Sequence, residues 1–199
     1  MGKMGVDALM LVCILVGASA AVPVLSGVTF GPGGVDRWFE NLPKAKQKIT
    51  KLHFYYHDIV TGNKPTAYQI AESNFTGKST TRFGALSVMD DLLTETPDPR
   101  SKVVGRGQGT YGFTGVDEVS LLMVLNFFFT GGGEYNGSTL SILGRNAYYN
   151  EYREMPIVGG TGVFRLASGI ATAQTNYFNL TSDNAIVEYN LVVLHYDYE

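Results

Sequence analysis

Apolar and polar residues alternate with a period of two over much of this chain from Ile49 onward, the pattern of strands that bury one face. In LHFYYHDI, Leu52, Phe54, Tyr56 and Asp58 share one face, while His53, Tyr55, His57 and Ile59 share the other. Eight β-like runs are read at roughly residues 49–60, 66–73, 83–91, 102–113, 118–129, 137–145, 161–174 and 185–197, separated by clusters of Gly, Pro, Asn and Asp. No run carries a sustained helical period. Short connections suit an antiparallel meander, and eight strands can close into a barrel whose interior holds side chains or one small ligand and which has no free edges. The expected fold is all-β, an eight-stranded antiparallel β-barrel with a central pocket, with an open sandwich as the alternative.

The fourth run, KVVGRGQGTYGF, puts Gly105, Gly107 and Gly109 on one face with Tyr111 and Phe113. Three missing side chains either leave room for a cavity or relieve bending at a barrel corner, and the two are compatible. Before the first run, residues 21–47 read as a leader broken by Pro23, Gly27, Gly31, Pro32, Gly33 and Gly34, with one short helical turn over Asp36 to Leu42. Lys44, Lys46, Lys48 and Lys51 read as a solvated approach to the first strand.

Composition changes this picture in a few places. With 15 Lys and Arg against 18 Asp and Glu, the net charge of −3 offers no basic footprint for nucleic acid. The apolar stretch Ala8 to Val16 followed by Ala18-Ser19-Ala20 reads as a signal peptide over residues 1–20, far short of the roughly 20 apolar residues that span a bilayer, so no membrane anchorage is expected. Sequons at Asn74, Asn136 and Asn179 agree with secretion and mark candidate glycosylation sites. The single cysteine, Cys13, lies in that signal, so the secreted chain is expected to lack disulfides and cysteine-based metal sites. Residues 48–199 would form the barrel domain.

Asp58 is the sharpest candidate for chemistry. A carboxyl ending an apolar row is either an inward acid with a raised pKa, able to donate a proton, or a strand-end carboxylate accepting backbone N–H groups near Gly62. Arg153, in what reads as a polar aromatic loop after Asn146-Ala147-Tyr148-Tyr149-Asn150-Glu151-Tyr152, either binds an oxygen anion or pairs at the surface with Glu151 or Glu154. Tyr111 and Tyr148 either stack on an aromatic guest or serve as packing. His53, His57 and His195 form no convincing metal-ligand set, and GGTG at 159–162 lacks the Lys and helix of a phosphate loop and reads as a tight turn into the next strand.

The segments FYYHDI, VMDDLLT, SKVVGRGQGTY, YNGSTLSILGRN and REMPIVGGTGVFRLASGIA occur in this order from about Lys51 to the C-terminus, some three quarters of the chain, and as a set they resemble the plant dirigent family. The resemblance implies an eight-stranded barrel, a homo-oligomer (dimer or trimer) and secretion to the apoplast of a glycosylated chain. It also implies stereochemical control without a cofactor and without intrinsic oxidase activity. In lignan-forming members an external laccase or peroxidase makes phenoxy radicals from coniferyl alcohol, and the barrel holds them so that one face couples. It assigns Asp58 as pocket acid, Arg153 as pocket cation and Tyr111 as pocket phenol, with Tyr56, Phe113 and Asn146 among the substrate-binding residues. Asn146 stands where lignan formers carry an aspartate, and Phe113 where they carry a second tyrosine. Those departures, with KLHFYYHDIVTG and DDLLTETPDP, are similar to the branch containing pterocarpan synthases, which dehydrate isoflavan-4-ols through a quinone methide. The leading expectation is a guide for radical coupling or quinone-methide cyclisation of phenylpropanoids, where ~1.4 kcal/mol between competing transition states gives tenfold bias. The alternatives are an isoflavanol dehydratase and an apoplastic carrier of small phenolics.

Overall fold

The computed structural model describes residues 31–197. The signal-peptide reading of 1–20, Cys13 and the first part of the leader lie outside the described residues. The chain begins with helix α1 (Pro32–Asn41), whose Pro32 suits the first turn because its missing N–H would have no partner there. This helix is longer than the single turn expected, and it incorporates Gly33 and Gly34, which read as breakers. Trp38 meets Tyr196 edge to face at 6.5 Å, holding the helix against the last strand.

Nine strands follow: β1 (Lys46–Asp58), β2 (Ala67–Ala71), β3 (Leu86–Thr94), β4 (Val103–Phe113), β5 (Leu121–Phe129), β6 (Thr139–Asn146), β7 (Tyr152–Thr161), β8 (Ser168–Phe178) and β9 (Ala185–Asp197). From β3 to β9 they form an antiparallel meander, and β1 inserts between β9 and β3 to close an eight-stranded barrel. Along β9 the pairing of β1 runs from Lys46↔Asp197 to Asp58↔Ala185, whereas along β3 it runs only from Tyr55↔Thr94 to His57↔Leu92. The rest of that edge of β3 pairs with β2, which lies outside the closed ring. No helix among the described residues is long and apolar enough to cross a membrane.

The expected barrel is present, but its membership differs from the sequence reading. The run at 66–73 is the outlying β2, and β7 occupies residues that read as loop and turn, because Arg153, Glu154 and Pro156 interrupt any apolar run. Its alternation is nonetheless strict, with Arg153, Met155 and Ile157 buried and Tyr152, Glu154, Pro156 and Val158 exposed. Pro156 lies just before the register shift of the β6–β7 pairing and sits opposite Ile170 of β8. GGTG is the end of β7 plus a 3-10 turn over Gly162–Phe164, and β8 begins only at Ser168. Three of the four leader lysines lie at or in β1, where Lys48 pairs with Asp197 at 3.0 Å.

One half of the barrel is solid. Phe54, Phe127, Phe164, Leu140, Met155 and Leu191 are all essentially inaccessible, with Phe54 and Phe127 packed edge to face at 4.9 Å. The glycine row of β4 belongs to this half and opens no void. A Cβ on Gly107 would lie 2.6 Å from the Tyr56 ring, and those on Gly105 and Gly109 would lie 2.1 and 2.0 Å from carbonyl oxygens of Phe128 and Val124 in β5. Glycine here admits a ring and a close backbone approach, the corner role of the two expected. Gly109→Ala should therefore lower stability by about 1–3 kcal/mol, while Gly112→Ala, whose nearest neighbour would be Leu86 Cδ1 at 3.6 Å, should leave the denaturant midpoint nearly unchanged. Equal midpoints for the two variants would refute the backbone-crowding account.

Candidate active site

The other half of the barrel holds a cavity of about 490 Å³, at the end where β1, β4, β6 and β8 finish and β5, β7 and β9 begin. Tyr56, Asp58, Tyr111, Phe113, Asn146 and Arg153 all line it. The six residues named from the sequence, drawn from four strands, thus converge on one cavity. Arg153 is not on a loop, as expected, but is the second residue of β7, where alternation turns it inward.

Asp58 has one oxygen, Oδ1, buried with no hydrogen-bond partner. The neighbouring N–H groups that a strand-end carboxylate would accept go elsewhere. Ile59 donates to Thr66 Oγ1 at 3.2 Å, and Val60 and Thr61 donate to Asn184 Oδ1 at 2.8 and 3.0 Å. Asp58 lines the cavity and does not accept those backbone N–H groups. Burial foremost, then the negative charges of Asp91 and Asp183, pushes its pKa up to about 8, so at neutral pH the group is a carboxylic acid.

Across the cavity, Arg153 is 5% exposed, and its partners are neutral: Nε donates to Asn146 Oδ1 at 3.2 Å and Nη1 to Thr175 Oγ1 at 2.9 Å. None of the ion pairs among the described residues includes it. Desolvation lowers its pKa, an effect opposed by Tyr189, yet a guanidinium keeps its charge in any such setting. A desolvated cation that lines the cavity with no carboxylate bonded to it is a receptor for an oxygen that gains negative charge. Asn146 cannot transfer a proton; it orients Arg153 instead.

Aromatic groups complete the wall. Burial, then the charge of Asp58, pushes Tyr111 up to about 12, and burial does the same to Tyr189, so both stay neutral phenols. At the rim Arg82 lies over the Phe113 ring at 4.6 Å and reaches Asp183 at 3.8 Å. Tyr148 and Tyr149 also line the cavity, their rings tilted against each other with centroids 4.5 Å apart.

Sequence reasoning missed Tyr189, Arg82 and Asp91. Asp91 is fully buried on the inner face of β3, its Oδ1 accepting from Thr66 Oγ1. The run ending at residue 91 made it look like a strand terminus, whereas the period-two row Ser87, Met89, Asp91, Leu93 continues inward past it. Of the sequons, Asn74 is exposed, while Asn136 and Asn179 are half-buried and their side-chain oxygens accept backbone N–H bonds from Gly132 and Thr181.

A carboxyl whose pKa is raised in the folded state contributes stability that is complete below its ordinary range near 4 and is lost as pH climbs through about 8. Thermal midpoints of the native chain should accordingly fall between pH 5 and pH 9. Asp58→Asn should flatten that fall and exceed the native chain at pH 9. Parallel curves for the two proteins would show that Asp58 is already ionised at neutral pH.

Residues 49–194 match the Dirigent-like protein family. The chain is 49% identical over 159 residues to dirigent protein 23 of Arabidopsis thaliana, covering 79% of this chain and 84% of that one. It is also 49% identical over 152 residues to pterocarpan synthase 1 of Glycyrrhiza echinata, covering 76% and 80%. A solved pterocarpan synthase dirigent protein superposes with a TM-score of 0.71 at 47% identity, over 77% of this chain and 88% of that one. The barrel with its acid-and-arginine cavity therefore belongs to a member of the dirigent family.

Proposed function

We propose that this chain forms and holds a quinone methide, acting as a cofactor-free hydro-lyase on a phenolic benzylic alcohol of the isoflavanol class. The observation that carries this reading is a buried Asp58 carboxyl, its Oδ1 without a hydrogen-bond partner, lining the same cavity as Arg153, a cation whose bonded partners are neutral. Asp58 gives its proton to the benzylic hydroxyl, the C–O bond breaks, and both bonding electrons leave with water. The phenolic oxygen, held at Arg153, releases its proton to solvent and becomes the quinone-methide carbonyl. When a second hydroxyl of the substrate adds to the exposed carbon, its proton restores Asp58, and the carbonyl oxygen takes a proton from solvent. One acid suffices for this sequence, consistent with the amide at Asn146. The similarity to pterocarpan synthases supports the same substrate class.

The aromatic wall of Tyr111, Phe113 and Tyr148 supports a second reading, in which an external laccase or peroxidase makes the phenoxy radicals and the cavity only selects a face. Secretion to the apoplast belongs to either reading. So does a homo-oligomer, for which the outward pairs Val124–Leu143 and Ile170–Val192, all at least 39% exposed, offer an apolar face.

Purified protein given an isoflavan-4-ol alone should release water and the ring-closed product, with activity falling as pH rises through the Asp58 transition. Asp58→Asn should lower kcat by about 10²- to 10⁴-fold while retaining the native circular dichroism. No turnover of the isoflavanol, with optical activity arising only from coniferyl alcohol plus laccase, would establish the guide and reject the lyase.

A further inference from the structure

We propose that Asp58 and Asp91 form a proton-sharing carboxyl pair, in which Asp91 is a positioning residue that keeps the shared proton on Asp58, the member facing the ligand. This rests on the acid role given to Asp58 above and adds a second residue to it. The β1–β3 ladder runs Tyr55↔Thr94, Tyr56↔Leu93, His57↔Leu92 and ends there; Asp58 and Asp91 are the next residues beyond its end, both on inner faces, and the charge of Asp91 acts on Asp58. Like charges repel, and here both carboxyls are turned inward rather than to solvent.

Oxygen accounting sharpens the assignment. Asp91 Oδ1 accepts from Thr66 Oγ1, whereas Asp91 Oδ2 and Asp58 Oδ1 are both buried without a partner. Two orphan acceptors on adjacent strands, each without a donor, are relieved by one proton between them. The donors decide where that proton resides. Thr66 donates to Asp91, while the single Tyr56 hydroxyl proton goes to Met89 Sδ at 2.9 Å, so among the described residues neither carboxyl has a donor other than Thr66 on Asp91. Asp58 has Asp91 and Asp183 facing it as anions, with Tyr56, Tyr111 and Tyr189 around it as neutral phenols. Asp91 is faced by Asp90 and Arg106 from the outer side of the sheet. Negative charge is thus better placed on Asp91 and the proton on Asp58.

The two differ in access. Asp58 lines the cavity and Asp91 does not. Asp91 therefore touches no ligand and acts only through its partner. When Asp58 has passed its proton to the leaving oxygen, two adjacent carboxylates remain, an arrangement that drives the return of a proton and resets the acid.

Full-length protein labelled with ¹³C at aspartate carboxyls tests this by NMR titration, with Asp58→Asn identifying the Asp58 signal. In the native chain, the Asp58 and Asp91 carbons should each show two steps at shared midpoints, because coupled groups titrate as a pair. Asp91→Asn should lower the Asp58 midpoint by about one pH unit or more and leave a single step. Thr66→Val, a loop change that spares both carboxyls, should raise the lower midpoint and decides the matter if Asp91→Asn does not fold. Single independent steps in the native chain, or an Asp58 midpoint unmoved by Asp91→Asn, would overturn the pair. Shared midpoints together with full isoflavanol turnover by Asp58→Asn would leave the pair standing and remove the catalytic reading beneath it.

Discussion

Backbone pairing between β1 and β3 is short, and the site depends on where it stops. After His57↔Leu92 the strands part and Thr66 takes the position β1 has vacated. Its carbonyl accepts the Asp90 N–H at 2.9 Å, its N–H donates to the Ile59 carbonyl at 2.7 Å, and its hydroxyl serves Asp91. Each backbone group freed by the parting thus finds a partner, as burial demands. The carboxyl of Asp58 is not so served, because the loop that takes over the seam spends its donors on Asp91 and on the Asn184 contact. Closure and acidity are consequences of one local arrangement.

Solid packing in the opposite half keeps that arrangement dry. The aromatic cluster of Phe54, Phe127 and Tyr189 fills the barrel directly behind the cavity, with Phe54 stacked on Tyr189 at 6.0 Å and Phe127 meeting it edge to face at 5.1 Å. Tyr56 lies between this cluster and the carboxyls, against Gly107, where any larger residue would collide with its ring. The glycine row is thereby tied to function indirectly. It lets the ring sit close to the wall, and the ring in turn denies water to Asp58 and Asp91 from behind.

Much of this was legible in the alternation of the sequence, and the exceptions have physical causes. The inward row Phe54, Tyr56, Asp58 follows from a period of two alone, as does Tyr111 with Phe113. β7 was not legible because the residues it buries include a guanidinium, so hydrophobicity gives no signal where function replaces an apolar side chain. Asp91 was hidden by its neighbour: in the Asp90-Asp91 doublet one carboxylate faces out to pair with Arg106 at 2.7 Å and the other faces in, and a doublet of charges reads as the end of a strand. The barrel has the expected eight strands with β7 in the ring and β2 outside it, because closure by β1 depends on pairing between distant segments, which no local pattern records.

The charges of the cavity also bear on what it can hold. Arg153 contributes one buried positive charge, Asp58 none while it keeps its proton, and Asn146 none at any pH, while Arg82 and Asp183 pair with each other and Glu151 is exposed. A substrate that arrives anionic would gain from Arg153 in the ground state and in the transition state alike, which does not speed the chemical step. A neutral phenol gains from Arg153 only as its O–H ionises before the leaving oxygen takes the Asp58 proton, and the quinone-methide carbonyl gains again when the second hydroxyl adds and pushes electron density onto that oxygen. The distribution of charge is thus suited to a guest that is neutral on entry and polarised in reaction, the property that separates a quinone-methide precursor from an acidic phenylpropanoid.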